Sequence, residues 1–222
     1  MPSNSPSKAH DRLTAASPWV LRFAGRVRPG SHVLDLACGA GRHARLFLER
    51  GCRVLAVDRD VSALADLRNN PHLEVLEIDL EQGPDHPLAG RLFDAVVVVN
   101  YLHRPRLADL VANAAPGGLL LYETFAAGHE RFGRPRNPDF LLRPGELLDA
   151  VRGRLRVLAY EDLDIREPSP AAVQRIAALR IAGHPIAAHP IAAGREDPRG
   201  SAGGKRDPNA RNRPTRPKSE KS

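Results

Sequence analysis

Val33-Leu34-Asp35-Leu36-Ala37-Cys38-Gly39-Ala40-Gly41 runs directly into Arg42-His43-Ala44-Arg45-Leu46-Phe47-Leu48-Glu49-Arg50-Gly51. An apolar run, a glycine-rich corner and an amphipathic segment, in that order, read as strand, tight turn and helix. Ala44, Phe47 and Leu48 share one helical face at i, i+3 and i+4, and Gly51 stops the helix. A second apolar run, Val54-Leu55-Ala56-Val57, closes on Asp58, nineteen residues after Gly39. Strands that are apolar nearly throughout belong to a parallel sheet covered on both faces. This βαβ unit therefore commits the chain to an α/β fold.

The rest of the chain extends the alternation. Ser17-Pro18 starts a short helix, with Ser17 as N-cap and Trp19, Val20, Leu21 and Phe23 following. Trp19, the single tryptophan, reads first as a core anchor and second as a lid over a ligand. Asp60 is a candidate N-cap for a helix bearing Leu64 and Leu67, and Leu73 to Ile78 reads as a third strand ending at Asp79. Phe93 to Asn100 contains four consecutive valines and is the strongest strand signal. Pro105 to Ala115 reads as a helix and Leu119 to Glu123 as strand five. The alternation breaks at 125–143, a long Gly/Pro-containing stretch with Phe125, Phe132, Phe140 and several arginines. Loops of this length inside a domain are commonly functional. A helix then begins at Pro144-Gly145-Glu146, and Leu155 to Tyr160 is strand-like. Residues 171–181 carry helical spacing, with Val173, Ile176, Ala177 and Arg180 on one face.

Charge separates the body from its ends. The net charge is +7, and residues 183–222 alone hold nine Lys/Arg against four Asp/Glu, or +5. That segment repeats His-Pro-Ile-Ala-Ala and then turns to Gly, Pro, Arg, Lys and Asn, a composition that cannot bury enough surface to order itself. The expected organisation is a flexible segment 1–16, one domain at 17–182 and a disordered basic tail at 183–222. Cys38 and Cys52 have neither the spacing of a zinc site nor the number of a disulfide framework, so no metal is expected. No signal-peptide pattern and no membrane-spanning run stand in the sequence, and the cytosol is the expected location.

Gly39-Ala40-Gly41-Arg42-His43-Ala44 satisfies G-x-G-x-x-G/A, and Asp58 lies at the distance of a ribose-binding acid. Asp35 discriminates between ligands. A pyrophosphate at this helix N-terminus would face a nearby carboxylate of its own sign. A ligand with an α-ammonium and no phosphate would be attracted instead. With Pro29-Gly30 before it, the corner resembles the first motif of the class I S-adenosylmethionine-dependent methyltransferases. Ala56-Val57-Asp58, Ile78-Asp79-Leu80, Phe93-Asp94 to Asn100 and Pro116-Gly117-Gly118 continue the resemblance in order. It implies a Rossmann-like three-layer sandwich with a seven-stranded, mostly parallel sheet of order 3-2-1-4-5-7-6 and an antiparallel last strand. On that ground 171–181 is read as a strand, against its periodicity. The compact tellurite-resistance-type methyltransferases look similar in size.

The resemblance further implies that S-adenosyl-L-methionine is the cofactor. Asp35, Gly39 and Gly41 would hold its methionine moiety, Asp58 its ribose, and Asp79 with Leu80 its adenine, with Asn100 below the sulfonium. Ala37 stands where the family often has glycine. A sulfonium donor is already activated, so alignment can supply most of the catalysis, with a base only for a protonated acceptor. Candidates at the ends of strands four and five are Asn100, His103 and Glu123, with Tyr101, Arg131 and Phe132 facing a small-molecule acceptor under the 125–143 loop. Asn100-Tyr101-Leu102-His103 lacks the paired prolines of the Asn-Pro-Pro-Tyr motif, which disfavours methylation of exocyclic base amines. Two other readings stay open: an NAD-dependent oxidoreductase, and a non-catalytic S-adenosylmethionine-binding protein whose basic tail docks on RNA. Oligomeric state is not encoded in any feature of the chain.

Overall fold

Val96, Val97, Val98 and Val99 divide between two cores, because successive side chains of a strand point to opposite faces. Val96 and Val98 join Leu34, Leu36, Leu55 and Val57 on one face of the sheet. Val97 and Val99 join Val33, Val54 and Ala56 on the other. The computed structural model describes residues 15–83 and 86–183, and both cores lie in this part of the chain. Helix α1 (Pro18–Ala24) and helix α2 (Arg42–Glu49) cover the second face with Trp19, Val20, Phe23, Ala44 and Phe47. Helices α3 (Leu107–Ala112) and α4 (Glu146–Val151) cover the first. Each fully buried Val or Leu contributes about 1.5–3 kcal/mol, so a strand apolar on both faces is held twice.

The strands are β1 (His32–Leu36), β2 (Arg53–Asp58), β3 (Leu73–Glu77), β4 (Phe93–Val99), β5 (Ala114–Phe125), β6 (Arg156–Ile165) and β7 (Ala171–Leu179). Their order across the sheet is 3-2-1-4-5-7-6. Pairings β1–β2, β1–β4, β2–β3 and β4–β5 are parallel, and β7 runs antiparallel to both β5 and β6. The expected three-layer architecture is therefore observed. The helical spacing of 171–181 is overruled because β7 lies between β5 and β6 and is buried along almost its whole length. Its alanines fit a strand pressed from both sides, where packing outweighs intrinsic propensity.

Other boundaries move for identifiable reasons. The helix expected after Asp60 is a 3-10 helix, Ser62–Leu67, and Asp60 Oδ1 accepts the Ser62 N–H at 3.0 Å just ahead of it. The helix expected over 105–115 is a 3-10 turn at Arg104–Arg106 followed by α3, which ends at Ala112. The sheet takes over there: the Phe93 N–H donates to the Asn113 carbonyl, and Ala114 pairs with Phe93. Strand β6 continues past Tyr160 to Ile165 because β7 pairs with it over that length. Trp19 is a core anchor: it is 2% exposed, and its indole N–H donates to the Ile176 carbonyl at 3.2 Å. The tail at 183–222, apart from Gly183, and the segment 1–16, apart from Ala15 and Ala16, lie outside the described residues. Among the described residues no helix is long and apolar enough to cross a membrane.

Candidate active site

The chain leaves β1 through a corner built on left-handed backbone. Ala37, Gly39 and Gly41 have φ of 53°, 52° and 72°. A Cβ on Gly39 would meet nothing within 4 Å, so conformation alone asks for glycine there. At Gly41 a Cβ would also stand 2.3 Å from Leu64 Cδ2. Asp58, at the end of β2, braces the corner: its Oδ2 accepts the Gly39 N–H at 2.8 Å and its Oδ1 accepts the Asp60 N–H at 3.1 Å. An ionised carboxylate offers about four lone-pair sites, so Asp58 keeps acceptor capacity for a ligand.

Asp35 has a different position from the one its place in the sequence suggests. It is 1% exposed, and its Oδ2 accepts the Ala44 N–H at 2.8 Å. Its Oδ1 lies 3.7 Å from His43 Nδ1. His43 Nε2 accepts the Ser17 N–H at 3.2 Å, so the ring proton of a neutral His43 sits on Nδ1, toward Asp35. The anion position at the α2 N-terminus is thus filled by the chain's own carboxylate. A pyrophosphate would have to displace it.

A cavity of about 510 Å³ opens beside the corner, at the C-terminal ends of β1 to β5. Asp58, Asp79, Leu80, Asn100 and Tyr101 all line it, so three stretches separated in sequence meet around one space. Asn100 turns out of β4 with φ of 60°, a conformation asparagine tolerates better than most residues. The cavity wall carries three carboxylates, Asp58, Asp79 and Glu81, against one guanidinium, Arg59. The Tyr101 hydroxyl is buried without a hydrogen-bond partner among the described residues. Burial, with Glu81 and Asp79 nearby, pushes its pKa up, so it remains a donor.

Asn100 and Phe125 also line a second cavity of about 280 Å³. Ser17, Arg42, Glu123 and the β6–β7 turn complete it. Glu123 is buried at the end of β5, where its Oε2 accepts the Ser17 hydroxyl at 3.0 Å and lies 3.8 Å from Arg175 Nη1. Burial raises its pKa, opposed by the Ser17 hydrogen bond and by Arg175, Arg42 and His43.

The remaining expected residues stand elsewhere. His103 is half-buried at the start of the 3-10 turn and lines neither cavity. Arg131 is bound to Asp164 at 2.9 Å and to the Gly128 carbonyl at 2.8 Å, with Phe132 beneath its guanidinium, and neither residue lines the two cavities. The 125–143 loop instead contributes Phe125, Pro135 and Phe140 to the larger cavity. Arg104 holds it there, donating to Glu146 at 2.7 and 2.9 Å and to the carbonyls of Asp139 and Leu141 at 2.7 Å. Ser17, whose only local signal is an N-cap, and Arg42, at the helix start after the glycine corner, meet around Glu123 in this second cavity. Cys38 is buried, with burial raising its thiol pKa, which suits packing rather than nucleophilic chemistry. Among the described residues no three His, Cys, Asp or Glu side chains form a group able to hold a metal ion.

Residues 33–117 match the family model described as a methyltransferase domain. The malonyl-[acyl-carrier protein] O-methyltransferase of Serratia marcescens is 36% identical over 108 residues, covering 47% of this chain and 42% of that protein. The chain spans half or less of the length of the curated relatives it matches. TehB from Haemophilus influenzae shares the fold with a TM-score of 0.60 at 18% identity, over 74% of this chain and 62% of that one. So does the 1,6-didemethyltoxoflavin N1-methyltransferase of Burkholderia thailandensis, solved with 1,6-didemethyltoxoflavin and S-adenosylhomocysteine, with a TM-score of 0.57 at 19% identity over 79% and 81% of the two chains. Residues 33–117, which carry the glycine corner, Asp58 and Asp79, are thus similar to a methyltransferase domain, and the sheet around them has the fold of these two structures.

Proposed function

We propose that the larger cavity binds S-adenosyl-L-methionine and that the protein transfers its methyl group to a small-molecule acceptor. The observation that carries this reading is electrostatic. The cavity presents three carboxylates to one guanidinium, and the helix N-terminus beside it already holds Asp35. A doubly anionic dinucleotide would meet like charge at both places, whereas a cationic sulfonium meets opposite charge. The volume also lies in the range of small-ligand pockets. The buried Tyr101 hydroxyl, with no partner among the described residues, supplies a donor for a ligand.

In this reading Asp58 accepts hydrogen bonds from the ribose hydroxyls, and Asp79 with the Leu80 backbone faces the adenine amino group. Gly39 and Gly41 let the backbone approach the methionine portion closely. The acidic wall attracts the donor's positive charge, and Asn100 stands at the boundary with the second cavity. When bound, the sulfonium supplies an activated methyl group that needs alignment and exclusion of water more than covalent help from the protein. Phe125, Pro135 and Phe140 serve that exclusion. The catalytic domain comprises 17–182, and the site of action is the cytosol. The Burkholderia N1-methyltransferase, solved with 1,6-didemethyltoxoflavin and S-adenosylhomocysteine bound, supports a small-molecule acceptor on this fold.

Calorimetric titration with S-adenosylhomocysteine and, separately, NADH tests the cofactor. Binding of the first and not the second is expected, and the reverse would overturn the assignment. Incubation with methyl-labelled cofactor and fractionated cell extract tests the acceptor, with label expected in small molecules rather than in RNA or protein.

A further inference from the structure

The smaller cavity has chemistry of its own. Pro18, Phe125, Ile165, Pro168 and Val173 make its walls mostly carbon, and Arg42 and Glu123 are its two charged groups. The described contacts of Glu123 engage Oε2 alone, and Oε1 accepts no hydrogen bond among the described residues. The groups facing this carboxyl come from every element around it: the Ser17 hydroxyl ahead of α1, Arg42 and His43 from α2, and Arg175 from β7. Arg42 Nη1 donates to the Ala15 carbonyl at 3.3 Å. Among the described residues the other N–H donors of its five-donor guanidinium make no hydrogen bond. An ammonium-bearing acceptor would sit among guanidinium groups at a cost. An oxygen that becomes negative as its proton leaves would be stabilised by them.

We propose that this cavity is the acceptor site, and that it selects a small, mainly apolar molecule whose one acidic O–H gives its proton to Glu123 Oε1. The assignment rests on the reading of the larger cavity as the donor's. The acceptor's O–H bond breaks and its proton passes to Oε1. The oxygen's electron pair forms the bond to the methyl carbon while the carbon–sulfur bond breaks and leaves its pair on sulfur. Glu123 afterwards returns the proton to water. Asn100 and Phe125, common to both cavities, form the boundary across which the methyl group moves. A carboxyl whose burial raises its proton affinity is a stronger base than an exposed one.

The test is calorimetric titration of the full chain, saturated with S-adenosylhomocysteine, with 4-nitrophenol as probe. The probe is expected to bind saturably, with affinity falling at high pH as the one proton shared with Glu123 is lost. In Glu123→Gln the probe should still bind and the alkaline fall should disappear, since two anions no longer oppose each other. Ser169→Phe, at an exposed residue on the cavity rim, should weaken the probe about tenfold by filling space, with S-adenosylhomocysteine affinity unchanged. Absence of probe binding to the loaded protein, competition between probe and S-adenosylhomocysteine, or an unchanged pH curve in Glu123→Gln would each overturn the assignment. Failure of S-adenosylhomocysteine itself to bind would remove the donor reading, and the acceptor assignment would fall with it.

Discussion

The two cavities share Asn100 and Phe125 and differ in almost everything else. The larger is acidic, with Asp58, Asp79 and Glu81 in its wall, and lies where parallel strands end side by side. The smaller is mostly apolar, holds Arg42 beside a buried Glu123, and is enclosed by the start of α1 and the β6–β7 turn. In the proposed reading one takes a cation and the other a developing anion. Opposite fields on either side of a thin boundary suit a reaction in which a positive donor meets an electron-rich acceptor, because both partners are drawn in without either site binding the wrong one.

Asp58→Ala should break the larger cavity most. It removes the proposed ribose acceptor and releases the Gly39 and Asp60 N–H groups that shape the corner. Hydrogen bonds to a charged group contribute about 1.5–3 kcal/mol each, so S-adenosylhomocysteine affinity should fall by about 100-fold or more. The comparison predicts that Glu123 and its partners are untouched, so the Trp19 fluorescence spectrum should stay native. A changed spectrum would show that the two cavities are not separable.

Arg104→Ala comes next and concerns the cover of the larger cavity. The guanidinium ties the 125–143 loop to α4 through Glu146 and two carbonyls. Both partners are half-buried, and losing a hydrogen-bonded charge there should cost about 1–3 kcal/mol of stability. Proteolytic cleavage within 125–143 should accelerate, and S-adenosylhomocysteine affinity should fall by about tenfold as Phe140 and Pro135 lose their fixed position. Equal protection of the loop in wild type and variant would mean that other contacts hold it.

Tyr101→Phe separates stability from binding. A buried hydroxyl without a partner costs the free protein, so its removal should leave the melting temperature equal or higher. If the hydroxyl donates to the ligand, affinity should fall about threefold to tenfold at the same time. A change of the same sign in both quantities would show that Tyr101 is part of the packing and not of the recognition surface.

The same division explains what the sequence disclosed. Gly39, Gly41, Asp58 and Asp79 were legible because each stands at the end of an apolar run, within a few residues of the turn it serves. The parallel half of the sheet followed from the same runs. Asp35 was legible as a carboxylate at the end of β1 and not as a partner of Ala44 and His43, since that depends on how the corner folds back under α2. Of the smaller cavity, Asn100 and Glu123 were legible as strand ends, and the enclosure around them was not. Its defining hydrogen bond, Ser17 to Glu123, joins residues 106 positions apart. The loop arginines misled for a related reason: charge composition shows that Arg131 needs a partner, and only the path of β6 shows that the partner is Asp164. β7 was legible through family resemblance alone, because its own spacing is helical.

Ala37→Gly probes the corner from which the larger cavity begins, and its expected effect is the smallest. Ala37 lines that cavity and holds a left-handed φ of 53°. For a residue with a Cβ that conformation costs roughly 1–2 kcal/mol. Glycine removes this cost, and loses about 0.5–1 kcal/mol through the greater freedom of the unfolded chain. The net gain should therefore be a few tenths of a kcal/mol to about 1 kcal/mol, read as a small rise in melting temperature. Probe binding in the smaller cavity should not move, because Ala37 does not line it. If the variant is less stable than wild type, the alanine methyl contributes packing against the core around Ile78 and Tyr101 that exceeds its backbone strain. The corner would then be held by its side chains as much as by its glycines.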